Sequence, residues 1–147
     1  MKHLLVKDWM KTNVYTASPG TPMMEAHQLM REKGIRRMPV VKDKGKLVGI
    51  ITRSDVRQAE PSGATTLNVW EINYLLARLK VKDIMSKDVI TVRPDDTIKE
   101  AAILMHDNQI GALPVVNGKK ELVGILTESD IFRVLISWFN DEVGEDS

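Results

Sequence analysis

The 147-residue sequence contains no cysteine. That absence excludes a disulfide scaffold, thiolate metal sites, iron–sulfur ligation and cysteine nucleophiles together. Aromatic residues are scarce at 5%, and no apolar run approaches the roughly 18 residues of a membrane span. Charges at Lys2, Lys7, Asp8 and Lys11 interrupt the opening stretch MKHLLVKDWMK, leaving no apolar core for secretion. A cytoplasmic protein that binds no membrane is therefore expected. Neither G-x-x-x-x-G-K-S/T nor G-x-G-x-x-G occurs, so both common phosphate-cradling loops are unsupported. A dominant sign of charge is also missing, since 21 basic and 20 acidic residues leave a net +1. The halves differ, with net +5 over residues 1–75 and net −4 over residues 76–147. Duplex-binding domains concentrate more positive charge than this on one face. Oppositely charged halves can still attract one another, and a basic half can hold phosphate.

What is present is a globular composition, 43% apolar and 28% charged. A chain of this length buries roughly two-thirds of its unfolded surface and needs no covalent staple. Its most informative feature is an internal repeat. Shifted by 75 residues, positions 4–57 align without a gap on 79–132, with 24 identities in 54 positions. The matches include Lys7-Asp8 with Lys82-Asp83, Pro39-Val40-Val41 with Pro114-Val115-Val116, and Leu47-Val48-Gly49-Ile50 with Leu122-Val123-Gly124-Ile125. Two copies are too few for a solenoid, so they are expected to face each other as a pair.

Each copy reads as β-α-β-β-α behind a short helical turn, at Val6–Met10 or Val81–Met85. The β-branched runs Val14–Thr16 and Val89–Val92 predict strands. Helices follow, with Pro22 in a first turn behind Thr21, and Thr97 or Asp96 as the cap of the second. The spacings Met23, Ala26, Met30 and Ile98, Ala101, Met105 are helical. Met38–Val41 and Lys46–Thr52 form a hairpin around Lys42-Asp43-Lys44-Gly45, repeated by Leu113–Val116 and Leu122–Thr127. Closing helices start near Ser54 and Ser129, capped by Ser or Asp. Between the copies, Leu67–Leu79 spaces Val69, Ile72, Leu76 and Leu79 as an amphipathic helix. The sequence divides into residues 1–60, a linker at 61–79, residues 80–139, and an acidic tail, 140–147, expected to fray. Trp9, Trp70 and Trp138 are expected in helix packing or a dimer seam.

The phrases MPVVKDKGKLVGIITRSD and LPVVNGKKELVGILTESD, each behind Lys-Asp-x-Met and V-x-T-x-x-P, resemble tandem cystathionine-β-synthase (CBS) domains. Such a pair is called a Bateman module. The resemblance spans about residues 4–136, and the inserted Trp70–Leu76 segment is similar to CBS pairs of the acetoin-utilisation type. It implies an α/β (α+β) fold in which two β-α-β-β-α domains pair about a pseudo-twofold axis, commonly as a homodimer. It also implies a regulatory module rather than an enzyme, with no cofactor and no metal, sensing AMP, ADP, ATP or S-adenosylmethionine in two clefts.

In the family, the Asp of G-h-x-T/S-x-S/T-D accepts from both ribose hydroxyls, while the Thr and Ser hydroxyls reach ribose or phosphate. The matching residues are Thr52, Ser54 and Asp55, and Thr127, Ser129 and Asp130. A carboxylate just inside a helix start can accept from a vicinal diol at charge-assisted strength, although Ser-Asp there is also an ordinary cap. The family builds each cleft from both copies. One cleft is expected to join Val89, Ile90, Thr91, Ile110, Gly111, Ala112 and Pro114 with Thr52, Arg53, Ser54 and Asp55. The other joins Val14, Tyr15, Thr16, Ile35, Arg36, Arg37 and Pro39 with Thr127, Glu128, Ser129 and Asp130. Gly111-Ala112 leaves room for a flat base, and Arg53 adds a cation. Arg36-Arg37 and Glu128 crowd and repel in the other, so the Asp55 cleft is expected to bind better. Arg36-Arg37 matches a phosphate-reaching basic pair of nucleotide-sensing relatives, and reads equally well as a solvated pair.

His27 and His106 lack a second ligand at i, i+4, so neither suggests zinc. Two other readings compete with the sensor: a constitutive dimerisation scaffold with vestigial clefts, and a nucleic-acid-binding protein using the basic first half.

Overall fold

A computed structural model describes residues 4–61 and 66–146, with side chains as far as Asp141. In chain order the elements are α1 (Val6–Trp9), α2 (Met23–Lys33), β1 (Arg37–Lys42), β2 (Lys46–Thr52), α3 (Arg53–Ala59) and α4 (Val69–Arg78). The second copy continues with α5 (Val81–Ile84), α6 (Ile98–Asn108), β3 (Ala112–Val116), β4 (Leu122–Thr127) and α7 (Glu128–Asp146). The fold class is α+β, with two separate antiparallel hairpins, β1–β2 and β3–β4.

Helix α2 buries Met23, Ala26 and Met30, and α6 buries the equivalent Ile98, Ala101 and Met105. Thr97 caps α6, its hydroxyl accepting the Glu100 N–H at 3.1 Å. The alternative cap, Asp96, instead accepts the Arg93 N–H at 2.7 Å and closes the preceding turn. Pro22 stands at the N-cap of α2 itself and not in its first turn, so α2 starts without a side-chain cap. Both hairpins carry a bulge at the same place, after Val40 and after Val115. The first turns through Asp43, Lys44 and Gly45, all at positive φ.

Several expectations are corrected. Val14–Thr16 and Val89–Val92 do not form strands. Pairing is confined to single parallel bridges, Ala17 to Val40 and Val92 to Val115. Pro19 and Pro94 follow two residues later and have no N–H to extend either ladder. Thr52, not Ser54 or Asp55, caps α3. The segment expected to fray after residue 139 continues α7 through Asp146. In α4, Val69 is exposed and Trp70 is 83% exposed, so this indole is not buried in helix packing and the dimer seam is the reading left for it; Leu76 and Leu79 do pack inward.

Packing follows a different cut from the repeat. One compact unit is residues 15–89, and the other is residues 1–14 with 90–147. The lead turn of each copy thus packs with the hairpin of the other copy. In one unit, Val6 is fully buried among Val92, Leu113, Val115 and Leu126; in the other, Val81 is buried among Met30, Met38, Val40 and Ile51. Backbone bonds hold each lead segment on its hairpin edge. Lys11 and Ile125 exchange N–H···O bonds at 2.9 Å, as do Ser86 and Ile50. Among the described residues, no helix is long and apolar enough to cross a membrane.

Candidate functional site

Within residues 15–89, the β1–β2 register sets Arg37 opposite Thr52, and the Arg53 N–H donates to the Arg36 carbonyl at 2.8 Å. Thr52, Arg53, Ser54 and Asp55 therefore lie beside Ile35–Pro39 of their own copy. A reciprocal capping box fixes the start of α3. The Thr52 hydroxyl accepts the Asp55 N–H at 3.0 Å, and Asp55 Oδ2 accepts the Thr52 N–H at 2.9 Å. This box orients the carboxylate without consuming it, because Oδ1 has no partner among the described residues. Asp55 is half-buried and Ser54 is exposed. Arg53 turns its guanidinium away from the box, donating to the Met30 carbonyl at 3.2 Å near the C-terminus of α2. Tyr15, also in this unit, is exposed beneath the Lys33 ammonium, 5.4 Å from its ring centre. Thr16 is exposed and Val89 half-buried.

The unit holding residues 90–147 repeats the scaffold. Ala112 faces Thr127, and the Glu128 N–H donates to the Gly111 carbonyl at 3.0 Å. Thr127–Asp130 therefore lie beside Ile110–Pro114; Val14, Ile90 and Thr91 belong to this unit and are half-buried. The electrostatics differ from the first copy. Asp130 is 0% exposed. Its Oδ1 accepts from Lys11 Nζ at 2.7 Å and from Arg133 Nη1 at 3.0 Å. Its Oδ2 accepts from the Thr127 N–H at 2.9 Å and hydroxyl at 3.0 Å. Arg133 also covers the Trp9 ring, 5.4 Å from its centre.

Burial alone would raise the Asp130 pKa, but bonds from Lys11 and Thr127 outweigh it and hold the carboxyl below its ordinary 3.8. A depressed folded-state value means that the contribution to stability is fully present above the ordinary value. It is lost as the pH falls from about 4 through the lower, folded value. Urea midpoints should drop over that acid range, and Asp130→Asn should flatten the drop. An unchanged acid limb in Asp130→Asn would show that Asp130 contributes none of it.

Lys11 and Arg133 are the residues that sequence reasoning missed. The 75-residue shift shows only a difference, Lys11 opposite Ser86 and Arg133 opposite Gln58, and does not say that either reaches Asp130. Among the described residues, no group of three His, Asp or Glu side chains could hold a metal ion.

The sequence profile described as "CBS domain" matches residues 6–62 and 81–137. A curated Methanocaldococcus jannaschii protein, MJ1225, is 34% identical over 136 residues, covering 88% of this chain and 46% of that one. This chain spans about half or less of the length of the first curated relatives it matches, which include an inosine-5'-monophosphate dehydrogenase of Korarchaeum cryptofilum. Among solved structures, a protein assigned to acetoin utilization (AcuB) from Vibrio cholerae is 32% identical. It matches at TM-score 0.79 over 98% of this chain and 97% of that one. The CBS domain pair of protein MJ0100, in complex with 5'-methylthioadenosine and S-adenosyl-L-methionine, is 32% identical with TM-score 0.71, covering 89% and 98%. CBSX2 of Arabidopsis thaliana, in complex with AMP, is 28% identical with TM-score 0.78, covering 92% and 98%. The two matches together account for most of the chain and stand in register with the repeat: the protein belongs to the CBS domain family and carries two copies of the domain.

Proposed function

We propose that the protein is a regulatory module, not an enzyme, that binds an adenosyl compound and holds its ribose on Thr52, Ser54 and Asp55. The observation that carries this reading is the half-exposed Asp55 carboxylate, oriented by its capping box and with Oδ1 unpartnered among the described residues. A vicinal diol needs such an acceptor, and hydrogen bonds to an ionised oxygen are the strong kind. Relatives solved with AMP, or with 5'-methylthioadenosine and S-adenosyl-L-methionine, support the adenosyl class.

The protein acts as a homodimer in this reading. Phe132, Leu135, Ile136 and Phe139 on α7 are exposed, as are Val69, Trp70, Tyr74 and Leu75 on α4. Apolar faces of that extent mark interaction surfaces. Ligand binding then shifts the populations of two packings and with them the affinity for a regulated partner.

Calorimetry with AMP, ADP, ATP and S-adenosylmethionine is expected to give saturable binding of at least one in the micromolar range. Intact-complex mass spectrometry should show two subunits and a retained ligand. A dimer that binds none of the four, with an unchanged melting temperature, favours a scaffold and ends the sensor reading.

A further inference from the structure

We propose that Lys11, seconded by Arg133, is a built-in occupant of the second copy's carboxylate, so that the chain takes one adenosyl ligand, on Asp55, rather than two. This rests on the adenosyl reading above. An ionised carboxylate offers about four lone-pair positions. On Asp130 all four are taken, two by cations and two by Thr127, and the residue has no exposed surface. A ribose diol could bind there only by displacing bonds of the same charge-assisted kind, two of them from cations whose full charge a hydroxyl does not carry. The hydroxyls would replace cations, so the exchange runs uphill. On Asp55 one oxygen holds a single backbone N–H and the other is open among the described residues.

Two positions in the repeat account for the contrast. The scaffold is shared: the same Thr and Asp, the same bulged hairpin and an equivalent lead segment exchanging two backbone bonds with β2 or β4. On that common backbone the unit of residues 15–89 places Ser86 where the other unit places Lys11, and Gln58 where the other places Arg133. The Lys11 ammonium is delivered by its own main chain, since both backbone bonds to Ile125 fix the residue from which it extends. Trp9 steadies the Arg133 guanidinium from the ring face. Occupation of Asp130 is thus specified by local residues and does not follow from the fold alone.

The experiment titrates the full chain with AMP and S-adenosylmethionine as probes and reads stoichiometry per chain. The natural chain is expected to saturate at one. Lys11→Ser with Arg133→Gln, which gives the Asp130 surroundings the residues found beside the Asp55 hairpin, should raise this to two. The reciprocal pair, Ser86→Lys with Gln58→Arg, should weaken the single event at least tenfold. Two events in the natural chain would overturn the proposal, as would a folded Lys11→Ser/Arg133→Gln chain that stays at one. If neither probe binds the natural chain, and ADP and ATP do not bind either, the adenosyl reading itself fails, and melting temperatures still judge the clamp. Lys11→Ser should then lower the melting temperature with Asp130 present and have little effect in an Asp130→Asn background; equal shifts in both would refute it.

Discussion

Asp55→Ala is expected to cost the protein its adenosyl binding while leaving it folded. Two ribose hydroxyls bonded to an ionised carboxylate contribute about 1.5–3 kcal/mol each, although such terms are not additive. A combined loss of about 3 kcal/mol corresponds to roughly a hundredfold in affinity. The structural cost is smaller and separable. Asp55→Ala leaves the Thr52 N–H without its acceptor, but it keeps the Thr52 hydroxyl on the N–H of residue 55. Losing that half of the capping box costs about 1 kcal/mol. Asp55→Asn divides the two effects further, since an amide oxygen can still accept the Thr52 N–H but carries no charge for the diol. Its melting temperature should stay near that of the natural chain while its affinity falls. Calorimetry against a melting curve reads both quantities on the same samples. Binding retained in Asp55→Ala at its original strength would move the ligand elsewhere and remove the chemistry assigned to this residue.

How much of this was legible in the sequence depends on the range of the interaction. The core was readable because each copy buries the same positions: Ala26 with Ala101, Met30 with Met105, Val40 with Val115 and Ile51 with Leu126. Those residues obey local periods of a helix or a strand, and duplication removed the ambiguity of short apolar runs. The runs at Val14–Thr16 and Val89–Val92 misled because β-branched composition reports a preference for extended backbone, whereas a strand also needs consecutive partners. Only Val92, and Ala17 just after the first run, find a single one. The exchange of lead turns was not legible at all. Lys-Asp-x-Met stands before both copies, so nothing in it states which hairpin edge it will join. The grip on Asp130 was hidden for the same reason, because Lys11 lies 119 residues away and only the exchanged packing brings it near. The resemblance pointed to the Thr-x-Ser-Asp segments as the place to look. It could not show that one carboxylate is left with an open oxygen and the other is enclosed, since the signature itself is identical in both.

The glycines of β2 and β4, Gly49 and Gly124, are sensitive positions for that exchanged packing. A side chain on Gly124 would place its first carbon 2.7 Å from Met10 Sδ and 2.9 Å from the Lys11 carbonyl oxygen. On Gly49 the same carbon would lie 2.7 Å from Met85 Sδ and 2.8 Å from the Ser86 carbonyl oxygen. The methionine sulfurs can swing aside. The carbonyl oxygens cannot, because each accepts the N–H of the residue following its glycine, Ile125 or Ile50, at 2.9 Å. Strand propensity alone would favour alanine or valine over glycine by up to about 1 kcal/mol, so the sign of the effect decides the matter. Overpacking against fixed backbone costs about 1–3 kcal/mol and occasionally more, and it outweighs that gain. Gly124→Ala should therefore destabilise by about 2 kcal/mol, and Gly124→Val by about 3 kcal/mol or more. Gly20→Ala is the control, since nothing lies within 4 Å of a carbon added there, and it should stay within about 0.5 kcal/mol. In the Gly124 variants the displaced segment carries Lys11 with it, so the acid sensitivity of unfolding should weaken together with the loss of stability. Urea melts at neutral and acid pH measure both. A Gly124→Val chain as stable as its parent would mean that the lead segment does not lie on this strand, and the link between Lys11 and Asp130 would fail with it.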